Sequence, residues 1–528
     1  MRAVRWPFLA FLVLSFPLTV LASAQSARES TLVIGADTSD LITMDPGVSY
    51  EFTGSLIIDN LYETLVRFEG DDLTEVQPGL AERWEVAPAE GGGNTLTFTL
   101  REATFASGNP VTAQDVVYSF DRVLQLETPS SFLLSDVAGL EVGSTVAVDD
   151  RTVQLTLPET VNPTIVLNML TFNVGGVVDS QTVQENEQDG DFGAAWLTEN
   201  SAGSGPYVLV RWDREAQVAL EANPNASRTG SITRVILRNI QESSAQRAAL
   251  ESGEIDVAYD FTPDAFVAAE TDERFTALRT DTFQMQYLGM NSGEGSPFAD
   301  PRVRQAVRYA LDQDGIVDDL LGGLGRKVQT IIPVGLLGAN ETIFYEHDPE
   351  RARELLAEAG FADGLSAEYL VPTGACGGGV PCADLAAKVQ SDLGEVGIEA
   401  NIRQTTQAEL LEIYRAQNAE LVMVQWSPDY PDPDGNATPL ADFSAESLAW
   451  RNVWEDARAA ELAQRASLEE DPAARTALYE ELTTLVAERG PYAILFQPFK
   501  PVVTLASVTG FVRSAQGNVD FTAVSKTE

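Results

Sequence analysis

The residues best suited to hold a ligand lie in the stretch Leu421–Gly435, which reads LVMVQWSPDYPDPDG. Asp429 stands between Trp426 and Tyr430, and prolines restrict the backbone on both sides of it. A carboxylate held between two aromatic rings at the end of a strand is suited to grip a cation. The alternative is an ordinary surface turn whose aromatic side chains cover the core. If Asp429 acts, it anchors a cationic group and carries out no bond-making chemistry.

The elements around this stretch predict an α/β protein. The run from Leu421 to Val424 is apolar without alternation, which is typical of a strand covered on both faces. Strands such as Thr95–Arg101 alternate with helical patterns along the chain. Asp-Pro pairs that start at positions 300, 348 and 471 each place a capping carboxylate before a proline at the start of a predicted helix. We therefore expect layered α/β architecture with interleaved domains.

Patterns that indicate catalysis are missing from the sequence. No nucleophile elbow, phosphate-binding glycine loop or zinc-ligand spacing occurs. His347 is the only histidine, and it stands at a predicted helix entrance, where a solvent-exposed role is natural. Acidic residues are so abundant that their number is no evidence for glycosidase chemistry. We expect a protein that is not an enzyme and has no cofactor and no metal site.

Net charge and the N-terminal residues indicate an exported protein that avoids polyanions. The 528 residues include 34 Lys and Arg against 79 Asp and Glu, a formal net charge of −45, which repels nucleic acid and anionic membrane surfaces. Arg2 and Arg5 precede the apolar run Phe8–Leu21, and Ala22–Ala24 offers small residues for cleavage. Residues 1–24 are therefore predicted to be a signal peptide. Because no cysteine follows the run, we expect a soluble periplasmic or otherwise exported protein without a lipid anchor.

The two cysteines, Cys376 and Cys382, are separated by the short stretch GGGVP. In an oxidising compartment, a glycine-rich loop of this length can close such a pair into a disulfide. A metal site is the alternative, but the sequence offers only one histidine as a further ligand. We expect the disulfide, and we expect it to fix one loop while adding little to global stability, because the closed ring is short.

Five stretches that run through nearly the whole mature chain share the motifs of one known family, in the order usual for that family. They are LAERWEV (Leu80–Val86), TFTLREATFASGNPVTAQDVVYSFDRV (Thr97–Val123), GSGPYVLVRW (Gly203–Trp212), ADPRVRQAVRYALDQDGIV (Ala299–Val317) and HDPERARELLAEAGF (His347–Phe361). In these motifs the chain resembles the extracellular solute-binding proteins of family 5, which serve peptide, nickel and related ABC importers. Most of the matching residues are caps, turns and helix stripes, so they predict the fold more directly than the ligand.

The resemblance implies a bilobal α/β periplasmic-binding-protein fold, in a class II-like three-domain variant with mixed sheets and a hinge between the lobes. Residues 25–63, 179–283 and 496–528 would form the first lobe. Residues 64–178 would form an inserted second domain, and residues 284–495 would form the other lobe. Such proteins close two lobes over a ligand and deliver it to a membrane permease. We therefore expect a monomer that works with an ABC permease and ATPase and binds no nucleic acid.

The resemblance also implies where a ligand binds. In peptide-binding members, an aspartate in a WxxDY-like setting pairs with the α-ammonium of the peptide, and Trp426, Ser427, Asp429 and Tyr430 match that setting. Backbone groups near Gln425 and Ser427 would pair with the peptide main chain like an added strand. A second segment, in the loop after Met44-Asp45-Pro46, would do the same from the other lobe, and it consists of Glu51, Phe52 and Thr53.

The other end of the ligand has no clear partner in the sequence. Some oligopeptide binders carry an arginine three residues before the tryptophan, and here that position is Met423. Arg415 is the nearest basic candidate, with an exposed helix position as the alternative interpretation. We therefore expect di- or oligopeptides as ligands. The alternatives within the same fold are an oligosaccharide stacked on Trp426, Tyr430 and Trp212, or a nickel chelate. A secreted hydrolase is the remote alternative.

Overall fold

The computed structural model describes residues 28–527, so the predicted signal peptide at residues 1–24 lies outside the described residues. Strands and helices alternate along this part of the chain, and the predicted α/β class is confirmed. No helix in the described range is long and apolar enough to cross a membrane. The strands are Thr31–Ala36 (β1), Val66–Glu69 (β2), Asp72–Pro78 (β3), Ala81–Pro88 (β4), Asn94–Leu100 (β5), Thr145–Asp149 (β6), Thr152–Leu157 (β7), Tyr207–Asp213 (β8), Gln217–Ala222 (β9), Arg234–Asn239 (β10), Val257–Ala258 (β11), Phe275–Thr280 (β12), Met285–Met290 (β13), Gly325–Arg326 (β14), Leu365–Pro372 (β15), Ile398–Thr405 (β16), Leu421–Trp426 (β17), Tyr492–Pro498 (β18), Lys500–Leu505 (β19), Val508–Thr509 (β20) and Ser525–Lys526 (β21).

Two mixed sheets form the centres of the fold. One has seven strands in the order β12-β19-β11-β1-β10-β9-β8, and β1 runs parallel to both of its neighbours. The other has six strands in the order β14-β18-β13-β17-β15-β16, with β17 between antiparallel β13 and parallel β15. A four-stranded antiparallel sheet, β4-β5-β7-β6, lies apart from both. The pairs β2-β3 and β20-β21 complete the pairing.

The chain crosses between the two large sheets at two short connections. Residues 281–284 join β12 to β13, and Phe499 joins β18 to β19. Crossings of this length are suited to act as a hinge, because few residues need to change their backbone angles. The predicted division into three domains stays a prediction, and these crossings lie beside its boundaries at residues 283 and 495.

Sequence-local signals account for the helices. The Asp300, Asp348 and Asp471 side chains accept hydrogen bonds from backbone amides of the helices that they precede, and a proline follows each of them, as predicted. The α-helices are Phe52–Leu61, Ala113–Leu126, Pro163–Met169, Ser180–Glu185, Ala194–Leu197, Ser243–Ser252, Pro263–Glu270, Pro301–Ala310, Pro349–Glu358, Cys382–Glu395, Gln407–Arg415, Asp434–Ala441, Leu448–Arg451, Ala457–Leu468 and Pro472–Arg489.

The predicted disulfide is confirmed, because Cys376 and Cys382 are bonded to each other. The loop that it closes lies where the two large sheets approach each other. A Cβ at Gly377 would lie 2.8 Å from the Pro498 side chain, and a Cβ at Gly379 would lie 2.8 Å from the Phe261 carbonyl oxygen. Glycines therefore let this loop pass close to both bodies of the protein.

Candidate functional site

Asp429 lies in the loop after β17 and meets the N-terminal part of the chain. The Tyr50 hydroxyl donates a hydrogen bond to Asp429 Oδ1 at 2.5 Å, although 379 residues separate the two. Asp429 is half-buried, and burial raises the pKa of its carboxyl, while the hydrogen bond from Tyr50 acts in the opposite direction. No Lys or Arg within residues 28–527 forms an ion pair with it. The site therefore holds a carboxylate that has a donor but no counter-charge.

Tyr50 is a site residue that the sequence analysis did not find. Its ring makes edge contacts with Phe132 and Phe172, at centroid distances of 6.3 and 6.0 Å. Burial, and then the negative charge of Asp429, raise the pKa of Tyr50 far above its usual value, so the hydroxyl keeps its proton and acts as a donor. The aromatic contacts fix the ring and aim this donor across to the loop after β17.

The two aromatic residues that flank Asp429 are engaged within the protein. Tyr430 is only 4% exposed and packs into the core around the four-stranded sheet, and its hydroxyl donates to Asp434 at 3.1 Å. Trp426 is partly buried, and its indole Nε1–H donates to the Gly435 carbonyl at 3.0 Å. Both rings therefore shape the loop, and Tyr430 offers no open face on which a sugar ring stacks.

Ser427, Phe52 and Thr53 line one cavity of about 380 Å³, which we call the cleft cavity. Its remaining walls include Thr282 from one crossing between the large sheets and Lys500 at the start of β19. The cavity thus lies between the two large sheets and next to their connection. Phe52 is 67% exposed, the largest exposure among the large apolar side chains described as exposed. An apolar ring left open beside a cavity is suited to cover part of a ligand.

The edge of β17 that leads to Asp429 is incompletely paired. Strand β13 pairs with β17 along its whole length, from Met290 opposite Leu421 to Met285 opposite Trp426. Strand β15 pairs with β17 only at Leu421 and Val422. From there to Trp426, a stretch that includes the exposed Gln425, no strand of the described chain pairs with the second edge. An open strand edge is the geometry that accepts an extended peptide.

Glu51 and Thr53 already have partners at the start of the Phe52–Leu61 helix. Glu51 Oε2 accepts a hydrogen bond from the Tyr50 amide at 3.1 Å, and the Glu51 carbonyl accepts one from the Ser55 amide at 2.9 Å. The Thr53 amide donates to Asp40 at 3.2 Å. These contacts order the loop beside the cleft cavity, and they leave fewer free backbone groups there than the sequence analysis expected.

The structure brings different basic residues to the cavity than the one suggested by the sequence. Arg415 is exposed at the end of the Gln407–Arg415 helix and does not line the cleft cavity. Lys500 and Arg513 do line it. Lys500 pairs with Asp260 at 2.6 Å. Neither residue lies in a recognisable motif, so the sequence contained no local signal that could have found them.

Asp434 stabilises the loop after β17 through two hydrogen bonds. Its carboxylate accepts hydrogen bonds from the Tyr430 hydroxyl at 3.1 Å and from the Thr438 hydroxyl at 2.7 Å. Burial, and then the charge of Asp432, raise the pKa of Asp434 to about 6. The pKa of an Asp in an unfolded chain is about 3.9, so the folded protein favours the protonated form. This contribution to stability is fully present below about pH 4 and is lost as the pH rises through about 6.

Replacing Asp434 by asparagine is expected to raise the free energy of unfolding at pH 7 by on the order of 2 kcal/mol, with little change at pH 4. The amide never ionises, and it still offers one acceptor and one donor to the two hydroxyls. Urea unfolding of both proteins at pH 4, 5, 6 and 7 measures the difference. The exposed Asp363→Asn is the control, with no expected trend. A difference for Asp434→Asn that stays constant over this range would contradict the assignment.

Within residues 28–527, no group of three or more His, Cys, Asp and Glu side chains is arranged to hold a metal ion. His347 is exposed beside Asp348, the capping residue of the Pro349–Glu358 helix. Its position is that of a surface residue next to a helix start, as the sequence analysis anticipated.

A sequence profile of the bacterial extracellular solute-binding proteins, family 5 (middle region), matches residues 75–446, which is more than half of the chain. The chain belongs to this family. Among its relatives, the probable D,D-dipeptide-binding periplasmic protein DdpA of Escherichia coli (strain K12) is 27% identical over 515 residues, with 96% of this chain and 95% of DdpA covered. Di/tripeptide-binding protein 2 of Pseudomonas aeruginosa (strain UCBPP-PA14) is 28% identical, with 88% and 89% covered. The family predicted from the motifs is confirmed.

Solved structures share the fold of this family 5 protein over nearly its full length. HbpA2 from Haemophilus parasuis superposes with a TM-score of 0.80 at 25% identity, covering 94% of this chain and 100% of HbpA2. The periplasmic binding protein DppA from Helicobacter pylori, in complex with the peptide STSA, superposes with a TM-score of 0.78 at 24% identity, covering 96% and 100%. The predicted periplasmic-binding-protein fold is confirmed by these likenesses.

Proposed function

We propose that this family 5 protein is the exported peptide-binding component of an ABC importer. It takes di- or oligopeptides into the cleft between its two lobes and delivers them, as a monomer, to a permease and ATPase in the membrane. The names of the relatives in Escherichia coli and Pseudomonas aeruginosa support a dipeptide or tripeptide as ligand. The observation that carries the proposal is Asp429, a half-buried carboxylate beside the cleft that has no cationic partner within residues 28–527.

The α-ammonium of a peptide supplies the charge that Asp429 lacks. An ammonium within about 4 Å of a partly buried carboxylate is favoured because little water remains between the two charges. Tyr50 holds Oδ1 with its hydroxyl, which leaves the carboxylate oriented for a second donor. Because binding replaces lost hydration with a direct ion pair, it also reverses the penalty that burial places on the charged form of Asp429.

The open edge of β17 then accepts the peptide main chain. Between Met423 and Trp426 this edge has no partner strand in the described chain. Pairing through backbone groups recognises any peptide, while the side chains of the bound peptide point into the cavity that Phe52 and Ser427 line. Recognition of this kind is tolerant of sequence because it reads the backbone and the terminal charge.

Contacts between the parts of the protein support closure over the ligand. Asn168 donates to Asp432 at 3.2 Å, and Asn162 donates to the Glu469 carbonyl at 2.9 Å. Together with the Tyr50–Asp429 hydrogen bond, these contacts join residues from the first 170 positions to residues beyond 420. These three contacts are polar and are suited to break and re-form as the two crossings bend, whereas Tyr430 adds apolar packing against the core around the four-stranded sheet.

Replacing Asp429 by asparagine is expected to weaken the binding of free-amine dipeptides and tripeptides on the order of 10- to 100-fold. The reason is the loss of a charge-assisted hydrogen bond to the ammonium. N-acetylated peptides, which lack that charge, should bind weakly and equally to both proteins. Isothermal titration calorimetry with matched free and acetylated peptides measures both effects. Asp363→Asn removes the same charge from an exposed position and should bind like the wild type. Equal affinity of the wild type for the two peptide forms would count against the proposal.

A further inference from the structure

We propose that Arg513 binds the carboxylate of the ligand in the cleft cavity, which makes it the residue that selects peptides with a free C-terminus. This inference rests on the proposed peptide-binding function. Arg513 lines the same cavity as Ser427, which lies two residues before Asp429. The cavity wall also carries Asp37, Asp40 and Asp260. Asp429 does not itself line the cavity, so a zwitterionic ligand held by both groups would reach from the loop after β17, past Ser427, to Arg513.

The hydrogen bonds of Arg513 are incomplete. Its Nη1 donates to two backbone carbonyls, at 3.3 Å to Ser514 and at 3.5 Å to Asp281, both of them long. Its Nε is buried and has no hydrogen-bond partner. No Asp or Glu in residues 28–527 lies within ion-pair distance of the guanidinium. Burial lowers the pKa of Arg513, and the charges of Tyr259 and Asp260 oppose the shift, although neither side chain forms a hydrogen bond or ion pair with the guanidinium.

Arg304 and Arg308 are also buried without a carboxylate partner, but their Nε atoms donate to the backbone carbonyls of Gly490 and Tyr492. Arg513 differs from both, because its buried Nε has no acceptor. A half-buried charge that lacks a partner costs free energy unless a ligand completes it. The guanidinium is planar and presents paired donors, which match the two oxygens of a carboxylate. The missing partner therefore has the chemistry of a ligand carboxylate.

Lys500, the other cation in the cavity wall, is already satisfied. It pairs with Asp260 at 2.6 Å, and Asp260 accepts a further hydrogen bond from the Gln246 amide at 2.9 Å. Binding a ligand carboxylate there would compete with an existing ion pair. Arg513 has no such competitor, so it is the cation in the cavity wall with donors to spare.

A turn holds the guanidinium in place. The Ser514 amide donates to the Asn518 carbonyl, and the Gly517 amide donates to the Ser514 carbonyl, each at 2.9 Å. Gly517 has φ of +103°, and a Cβ there would lie 3.0 Å from Arg513 Nη2. Glycine suits the backbone angle, and its lack of a side chain lets the turn lie close to the guanidinium. The same arginine touches the Asp281 carbonyl, in one of the two crossings between the sheets.

Calorimetric titration of the full mature chain with three tripeptides tests the assignment. The peptides are Ala-Ala-Ala as the free acid, the same peptide as the C-terminal amide, and the amide with glutamate as its third residue. The wild type is expected to bind the free acid on the order of 10- to 100-fold more tightly than the amide. Arg513→Gln is expected to bind both equally and weakly, and Arg513→Lys, which keeps the charge, to recover part of the preference. Tighter binding of the glutamate amide than of the Ala-Ala-Ala amide would support carboxylate binding. It would also show that a side-chain carboxylate can take the place of the C-terminal one.

Arg415→Gln is the matched control, because it neutralises an exposed arginine that does not line the cavity. It should keep the preference of the wild type for the free acid. Arg513→Gln that retains this preference while melting like the wild type would overturn the assignment, as would loss of the preference in Arg415→Gln. A wild type that distinguishes N-acetylated from free-amine peptides but not acids from amides would overturn the role of Arg513 alone. A wild type that binds none of the peptides would overturn the proposed function together with it.

Discussion

Replacing Arg475 by methionine is expected to lower the free energy of unfolding by about 3–5 kcal/mol, because it leaves a buried carboxylate without its counter-charge. Arg475 Nη1 and Nη2 donate to the two oxygens of Asp432, at 2.9 and 2.7 Å. The side chains are 5% and 0% exposed. Methionine matches the length of the aliphatic part and supplies none of the donors. The remaining donors to Asp432 are the Asn168 amide and the Asp434 backbone amide.

This ion pair fixes the loop that carries Asp429. Asp432 follows Asp429 by three residues, and Arg475 lies on the long Pro472–Arg489 helix. Arg475 Nε also donates to the Ala466 carbonyl at 3.0 Å, which joins the Ala457–Leu468 helix to the same point. The loop is therefore held against two helices by one side chain. We expect Arg475→Met to weaken peptide binding as well as stability, since Asp429 loses its fixed position relative to Tyr50.

Guanidinium chloride unfolding and calorimetric titration of the same preparation measure both effects. Arg465→Met is the matched control, because Arg465 lies on the neighbouring helix in an exposed ion pair with Glu461 at 3.3 Å. Its expected change is within about 1 kcal/mol, the usual value of an exposed pair. Adding Asp432→Asn to Arg475→Met removes the uncompensated charge and should recover part of the loss. A change below about 1 kcal/mol for Arg475→Met would contradict the account of this pair.

What could be predicted from the sequence depends on how local the signal is. The Asp-Pro starts of helices at residues 300, 348 and 471 were found because the capping carboxylate and the proline are adjacent in the chain. Strand β17 was found because a short apolar run is typical of a strand buried on both faces. Each of these features is decided by a few neighbouring residues, and tertiary packing did not override it.

Two residues that the sequence analysis did not find, Tyr50 and Arg513, are positioned by contacts between distant parts of the chain. Tyr50 meets Asp429 across 379 residues, and no pattern around Tyr50 distinguishes it from an ordinary loop tyrosine. Arg513 reaches the cleft cavity from the C-terminal segment, whereas the arginine nearest to the motif, Arg415, turns out to be exposed. The direction of a loop side chain depends on what packs against the loop. The Tyr430 ring accordingly turned into the core around the four-stranded sheet, where the sequence alone placed it beside a ligand.

Replacing Asp45 by asparagine is expected to cost about 3–5 kcal/mol of unfolding free energy, because Arg122 is then left as a buried cation without an anion. Arg122 and Asp45 form a two-point contact, at 2.9 and 2.5 Å, and their side chains are 1% and 0% exposed. Arg122 Nε donates further to the Phe192 carbonyl at 2.7 Å. The pair joins the Ala113–Leu126 helix to the loop that leads to Tyr50.

The position of Tyr50 therefore depends on Asp45, in the way that the position of Asp429 depends on Asp432. The Gly47 carbonyl accepts hydrogen bonds from the hydroxyls of Thr128 and Ser130, at 2.8 and 3.0 Å. These bonds hold the loop between Asp45 and Tyr50 at a second point. We expect Asp45→Asn to weaken the binding of free-amine peptides in addition to its effect on stability. Binding of N-acetylated peptides should change less, because those peptides do not use the Tyr50–Asp429 pair.

Thermal and denaturant unfolding of Asp45→Asn, Arg122→Met and the double variant separate the charge effect from packing. Each single variant leaves one buried charge uncompensated, whereas the double variant leaves none, so it should be more stable than the sum of the single losses by about 1–3 kcal/mol. Arg247→Met, which opens an exposed pair with Glu251, is the control and should change little. Additive losses in the double variant would mean that the two side chains stabilise the Tyr50 loop independently, and the ion pair would not be what holds it.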